Sequence, residues 1–184
     1  MAIIAKDNKD ENFESIPLGM QQAVCAFVED IGTQESYYLG KPIKKHQIVI
    51  CWELAEKMSK GDYSGKPFMI SKFYTLSLNE KANLCKDLES WRGRGFTAEE
   101  KSGFDVERLI AANCFLNIIE VDKQDGTKRA AIASINPITK TMAKINVYNT
   151  EPPSWIQDLR TRSVEWKEVE PIDDENNQDE GLPF

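Results

Sequence analysis

The chain has 184 residues, of which 41% are hydrophobic and 29% are charged. This balance excludes a wholly disordered chain, and the length suits one domain with extensions better than two domains. The net charge of −7 resides in residues 165–184, because residues 1–164 hold 22 basic and 22 acidic side chains. Residues 41–98 alone carry a net charge of +5. The sequence therefore predicts a neutral-to-basic body with an acidic tail.

Several classes of protein are disfavoured by what the sequence lacks. The longest apolar run, residues 109–119, is interrupted by two asparagines and falls short of the ~20 residues that span a bilayer. Residues 1–13 have no apolar stretch typical of a signal peptide, so we expect a cytoplasmic protein. The four cysteines form no C-x-x-C pair and His46 is the only histidine. This pattern predicts buried free thiols, with no metal site and no catalytic triad.

The chain divides into three predicted regions, in which residues 1–16 are a flexible leader, 17–150 a folded domain and 151–184 an acidic, disordered tail. Within the domain, β-branched and aromatic runs predict three strands, followed by a helix that begins near residue 78 and stops at Gly93. A short helix and two further strands around an Asp-Gly turn follow, and a last apolar run is predicted to cover a sheet edge. The predicted strands are 20–31, 43–54, 67–76, 114–121 and 129–135, the short helix is 105–112, and the last run is 145–148.

The order of these elements predicts a mainly β fold. Three strands, a helix and two strands are the order of a five-stranded, partly open OB-fold barrel with its helix between strands 3 and 4. A generic all-β domain with one helix has the same order and stays open as the alternative.

Aromatic and basic side chains are interleaved between residues 37 and 96. OB barrels hold single-stranded nucleic acid in a basic groove while bases stack on aromatic rings. Period two places Lys72 and Tyr74 on one face of the third strand, where we expect an exposed ring beside a cation. The alternative is that the rings are core and the lysines merely solvated. The predicted DNA-binding residues are Tyr37, Tyr38, Lys41, Lys44, Lys45, Lys66, Lys72, Tyr74, Trp91, Arg92, Arg94 and Phe96.

The most compact cluster of such residues is WRGRGF at positions 91–96. Two guanidiniums and two rings on a glycine-hinged loop suit phosphate contact and base stacking. A helix C-terminus capped by Gly93, with Trp91 packed beneath the barrel, explains the same residues. Both interpretations are compatible, with Trp91 structural and the arginines functional.

The C-terminus has a chemistry of its own. An acidic run ends in an apolar tip at the free carboxylate, which solubility alone does not require. A terminal Phe ring and its carboxylate fit a small apolar pocket with a basic rim, and the acids accelerate the encounter. The predicted partner-docking residues are Asp179, Glu180, Leu182, Pro183 and Phe184.

The tip DEGLPF resembles the acidic ending of bacterial single-stranded DNA-binding proteins. The stretches YTLSLNEKA (74–82), DLESWRGR (87–94) and Phe96-Thr97 resemble phage-encoded single-stranded DNA-binding proteins of tailed-phage replication modules. This resemblance covers about residues 17–136 and the tip. It transfers most directly to Tyr74, Trp91, Arg92 and Arg94, whereas Cys85-Lys86 replaces an expected basic pair.

The resemblance implies an OB-fold protein, not an enzyme and without cofactor or metal, in the cytoplasm of an infected bacterium. It would coat single-stranded DNA with little sequence preference during phage replication and recombination. Its tip would recruit host or phage replication proteins. From the charges, we also expect the tail to occupy the basic groove weakly when DNA is absent.

One rival is an acidic adaptor or inhibitor with an OB-like barrel that does not bind DNA. The other is a metal-dependent nuclease, which scattered carboxylates disfavour.

Overall fold

The structure, a computed structural model, describes residues 14–163. The described chain forms five strands, three α-helices and two single 3₁₀ turns, Gly61–Tyr63 and Val106–Leu109. The short helix predicted at 105–112 is the second of these turns. In chain order the strands and helices are β1 (Gly19–Tyr38), β2 (Lys41–Lys57), β3 (Pro67–Thr75), α1 (Asn83–Arg92), α2 (Ala98–Lys101), β4 (Asn113–Asp122), β5 (Lys128–Asn136) and α3 (Trp155–Thr161).

The strands form one antiparallel sheet in the order β3-β2-β1-β4-β5, which confirms the predicted mainly β fold. β1 belongs to both halves of the sheet, because its residues 19–24 pair with β4 while most of its length pairs with β2. Register shifts between Cys25 and Phe27 and between Asp30 and Thr33 bend the strand. The outer strands β3 and β5 are linked by Lys72 Nζ, 3.5 Å from the carbonyl oxygen of Ile132.

β1 continues through Gly32, where the sequence predicts a break. Gly32 has a φ of 70°, and its N–H donates to Asp30 Oδ1 at 2.7 Å. Beyond it, residues 33–38 pair with residues 41–46 around a Leu39-Gly40 turn in which both φ angles are positive. This segment, called here the β1–β2 hairpin (residues 33–46), extends past Gln47, where the β2–β3 pairing ends.

The main core lies between the curved sheet and α1. β2 contributes Ile48, Ile50, Trp52 and Leu54, the residues predicted from period two, and all four are buried. α1 begins at Asn83 and not near residue 78, because the side chains of Ser77 and Asn79 accept hydrogen bonds from the backbone two residues on and form turns. It ends at Gly93, whose φ is 70°, as predicted.

A second apolar cluster covers the outer face of β1, β2 and β3. Ile156 of α3 packs among Phe27, Ile31, Val49 and Cys51. Val147, Leu159, Met69 and Phe73 are partly buried against this cluster. Residues 147–163, called here the C-terminal strap, thus lie on the sheet, although the sequence predicts a tail from residue 151. Residues 145–148, predicted to cover a sheet edge, form no strand.

All four cysteines are free and buried, as the sequence predicts. Burial raises the pKa of Cys51 to about 12 and raises the pKa of Cys25 and Cys114 further. Among residues 14–163, no group of three or more His, Cys, Asp or Glu side chains is arranged to hold a metal ion. None of the helices in this range has the length and apolar character to cross a membrane.

Candidate nucleic-acid interface

The β1–β2 hairpin brings five of the predicted DNA-binding residues together. Residues that face each other across an antiparallel pair point to the same side. Register therefore places Tyr37 and Lys44 on one side, where Lys44 Nζ lies 3.6 Å from Glu35 Oε1. Tyr38, Lys41 and Lys45 lie on the other side. Both sides of the hairpin thus combine a ring with an ammonium group.

Exposure differs between the two tyrosines of the hairpin. Tyr37 is 77% exposed, so its ring is open to solvent. Tyr38 is half-buried, while Lys41 and Lys44 are exposed. A base that reaches the hairpin therefore finds an open ring and nearby cations without rearrangement of the strand.

Hydrogen bonding between Asp30 and His46 fixes the root of the hairpin. His46 Nε2 lies 2.8 and 2.9 Å from the two carboxylate oxygens of Asp30. Asp30 Oδ1 also accepts from the N–H of Gly32. The only histidine in the chain is therefore engaged in positioning the hairpin.

Lys72 and Tyr74 do share one face of β3, as predicted, but this face is the interior. Tyr74 is 1% exposed, so the expectation of an exposed ring is wrong. α1 lies over this face, where Asp87 Oδ2 accepts from Tyr74 Oη and from Lys72 Nζ, both at 2.7 Å. Burial, and then the Asp87 carboxylate, raises the pKa of Tyr74 above its usual value. Both side chains thus attach α1 to β3.

Trp91 is buried beneath the sheet, in agreement with the structural interpretation of its motif. Its side chain is 6% exposed, and Nε1 donates to the carbonyl oxygen of Asn113 at 3.0 Å. Its ring lies 6.0 Å from that of Trp52, which is also buried. No face of this ring is open to a base.

Arg92 and Arg94 both pair with Glu100. Glu100 lies in α2, a helix that the sequence does not predict. Glu100 also accepts from the N–H of Thr97, whose hydroxyl caps α2 in return. The bonds from Arg94, Thr97 and Arg92, in that order, lower the pKa of Glu100 to about 2. The spacing Thr97-x-x-Glu100 is the sequence signal that predicts this capping box.

The arginines differ in what else they contact. The Arg92 guanidinium lies 4.2 Å from the Phe96 ring centroid and 5.6 Å from that of Phe104. The two rings pack edge to face at 5.1 Å. Arg92 and Phe96 therefore fold the loop after α1, whereas the Arg94 side chain remains 58% exposed. Arg94 is the residue of this motif best placed to meet a phosphate.

The loop between β2 and β3 presents another ring with a cation, at the end of β2 remote from the hairpin tip. Lys66 Nζ lies 5.2 Å from the ring centroid of Tyr63, which is 60% exposed. Lys66 is among the DNA-binding residues that the sequence predicts, and Tyr63 is not. The position of Tyr63 between Gly61 and Gly65 is the only local signal for an exposed ring.

Two exposed rings of the C-terminal strap were also not predicted. Tyr148 is 53% exposed and Trp155 is 37% exposed. The Trp155 ring lies 6.0 Å from that of Phe73 on β3. Because these residues lie far from β3 in the chain, no local pattern places them on the sheet.

The predicted docking residues Asp179, Glu180, Leu182, Pro183 and Phe184 lie outside the described residues. Comparison with known protein families and with curated proteins finds no match to this chain.

Proposed function

We propose that this chain is a single-stranded DNA-binding protein, not an enzyme, whose sheet forms an OB-fold barrel. The observation that carries the proposal is the β1–β2 hairpin, which presents Tyr37, Lys41 and Lys44 to solvent beyond the sheet. In OB folds the loop between strands 1 and 2 and the face of strands 2 and 3 bind oligonucleotides. The element order and the Lys72 contact between β3 and β5 support such a barrel.

The chemistry of the hairpin favours binding with little sequence preference. Lysine ammonium groups attract phosphates, and every base offers a π face to Tyr37. Stacking contributes about 1–3 kcal/mol per base, and log K falls with log salt by about 0.7 for each phosphate contacted. These properties suit a protein that coats single strands during phage DNA replication and recombination.

The C-terminal tip supplies the second half of the proposed function. Ser163 is the last described residue and packs against Gly32, at the root of the hairpin. Its Cβ lies 3.0 Å from the position that a Cβ would occupy on Gly32. The acidic segment 165–184 thus begins two residues after Ser163, which adjoins the proposed DNA site. We propose that the tip docks host or phage replication proteins beside the bound strand.

Fluorescence anisotropy with labelled oligo-dT, and with a duplex of matched length, tests the proposal. We expect tight, salt-dependent binding of the single strand and weaker binding of the duplex. Tyr37→Ala and the double variant Lys41→Gln/Lys44→Gln should weaken binding of the single strand. Lys86→Gln, an exposed lysine of α1, is the matched control and should not.

Two results would contradict the proposal. If the wild-type protein binds neither strand, the chain is better explained as a protein-binding adaptor. If the single strand binds but the hairpin variants bind as tightly as Lys86→Gln, DNA binding lies elsewhere on the protein.

A further inference from the structure

The C-terminal strap places two aromatic rings on the outer face of the sheet. Glu53, on the outer face of β2, accepts from the N–H groups of Tyr148 and Asn149 at 2.6 and 2.9 Å. It also accepts from Asn149 Nδ2 at 2.6 Å. Glu53 is 1% exposed, so this end of the strap is held by a buried carboxylate.

The other end of the strap is fixed beside the hairpin. Arg160 pairs with Glu29 on β1, and its Nε donates to the carbonyl oxygen of Asp30 at 2.8 Å. Gln34 Nε2 donates to the carbonyl oxygen of Leu159 at 3.1 Å. The strap therefore runs along the outer face from the middle of β2 to the hairpin root.

The same outer face continues onto the hairpin. Gln34, which contacts the strap, pairs with Lys45, and the alternate residues of β1 and β2 beyond them include Tyr38 and Lys41. These side chains lie on the side of the hairpin that faces the strap. Tyr148, Trp155 and Tyr38 thus occupy one surface, with Lys45 and Lys41 at its hairpin end.

We infer that Trp155 and Tyr148 stack on bases of single-stranded DNA, so that the strand runs from the hairpin across the strap. This inference rests on the proposed function and adds residues C-terminal to the sheet to its binding surface. The Trp155 ring packs on Phe73, and this contact holds the Trp155 ring in place. The part of Trp155 that does not contact Phe73 remains exposed. A ring fixed in this way loses little conformational entropy when a base stacks on it.

Packing alone does not account for the exposure of the Trp155 and Tyr148 rings. Ile156 already fills the apolar cluster beneath α3 and is 1% exposed. Tyr148 contacts Glu53 through its backbone N–H, so that bond does not require an aromatic side chain. The rings are therefore larger and more exposed than the attachment of the strap needs.

Substitutions of Trp155 separate stacking from packing. Trp155→Phe keeps an aromatic face, whereas Trp155→Leu keeps apolar contact with Phe73 but offers no ring. We expect Trp155→Leu to weaken oligo-dT binding roughly 5- to 100-fold and Trp155→Phe to have a much smaller effect. Tyr148→Leu and Tyr148→Phe form a second pair with the same expectation. Gln157→Ala, exposed on α3, is the control for perturbation of the helix.

A variant that binds oligo-dT more tightly provides a further test, because misfolding cannot explain an increase in affinity. Asp158 lies one turn after Trp155 on α3, so its carboxylate adjoins the proposed path of the phosphates. Asp158→Asn should tighten oligo-dT binding at low salt by roughly 2- to 5-fold and lose that advantage at high salt. Thermal unfolding of every variant checks that the strap remains folded.

Intrinsic fluorescence gives a direct readout of Trp155. Trp52 and Trp91 are buried, and a Trp166→Phe background removes the tryptophan outside the described residues. In that background, oligo-dT should quench fluorescence, and Trp155→Phe should abolish the quenching while binding by anisotropy persists. If Trp155→Leu binds like wild type, or quenching survives without Trp155, the inference is wrong while the proposed function stands. If wild type binds no single strand, the proposed function fails and the inference fails with it.

Discussion

The hydroxyl of Tyr74 and the carboxylate of Asp87 lie 2.7 Å apart, and this bond joins β3 to α1. Lys72 Nζ donates to the same carboxylate oxygen and also reaches β5 through Ile132. One carboxylate thus organises the interior face of β3, the helix and the far edge of the sheet. The consequence for Tyr74 is a structural role in place of the predicted contact with DNA.

Tyr74→Phe removes only the hydroxyl and should lower the free energy of unfolding by about 1.5 kcal/mol. Asp87→Ala leaves the buried hydroxyl without its acceptor and Lys72 without its partner, so it should cost about 3 kcal/mol. Urea unfolding measures both values. Oligo-dT affinity of the Phe variant should match wild type, and a large loss of affinity at unchanged stability would argue that the ring contacts DNA.

Glu100 makes the stability of the loop after α1 dependent on pH. Its pKa is about 2 in the folded protein against an ordinary 4.5, so the folded state favours the ionised carboxylate. The resulting stabilisation is complete above pH 4.5 and is lost as the pH falls from 4.5 towards 2.

Glu100→Gln should therefore unfold at a lower temperature than wild type at pH 6, and the difference should shrink as the pH approaches 2. Calorimetric melting temperatures between pH 2 and pH 6 measure this effect. Glu99→Gln, which removes the same charge from the exposed neighbouring residue, should follow wild type. A Glu100→Gln profile parallel to wild type over this range would contradict the prediction.

Glu53 is the anchor of the C-terminal strap. Glu53→Ala removes the acceptor of three hydrogen bonds at a site that is 1% exposed, and should lower the free energy of unfolding by about 3 kcal/mol. Cleavage within residues 147–163 under limited proteolysis should also become faster, because the strap loses its attachment. Glu56→Ala, exposed on the same strand, should change neither measurement.

Deletion of residues 165–184 removes a net charge of −7. If this segment competes with DNA for the basic surface, the truncated protein should bind oligo-dT roughly tenfold more tightly at low salt. The gain should disappear at high salt, where the attraction is screened. Deletion of residues 181–184 alone leaves the acidic side chains in place and should have no such effect. Equal or weaker binding by the longer deletion refutes competition.

The sequence predicts the order of the five strands and the buried face of β2, but not the continuation of β1 past Gly32. Period two along Ile48, Ile50, Trp52 and Leu54 predicts that face because one side of the strand is uniformly apolar. The same rule correctly paired Lys72 with Tyr74 but did not indicate that their side is the interior. Both faces of β3 are covered, one by α1 and the other by the strap. The pattern of polar and apolar residues along β3 therefore does not reveal which face is the interior.

The sequence predicts only those parts of the candidate site whose residues lie close together in the chain. The hairpin residues lie within one stretch of chain, and their composition indicates an exposed, basic surface. Trp155 depends on Phe73, and Tyr148 on Glu53, so their positions follow from tertiary contacts and not from a pattern. The motif at residues 91–96 predicts phosphate contact for both arginines because nothing within it reveals that Glu100 pairs with Arg92 and Arg94.

The attachment of the strap to Glu53 has a consequence for synthesis of the chain. The sheet residues Phe27, Val49 and Phe73 leave the ribosome well before Ile156 is added. Throughout that interval, the nascent domain exposes an apolar face and holds a carboxylate whose donors do not yet exist. Completion of this face therefore waits until residues 147–163 have been synthesised. Premature termination before residue 147 should yield an aggregation-prone product, not a smaller working domain.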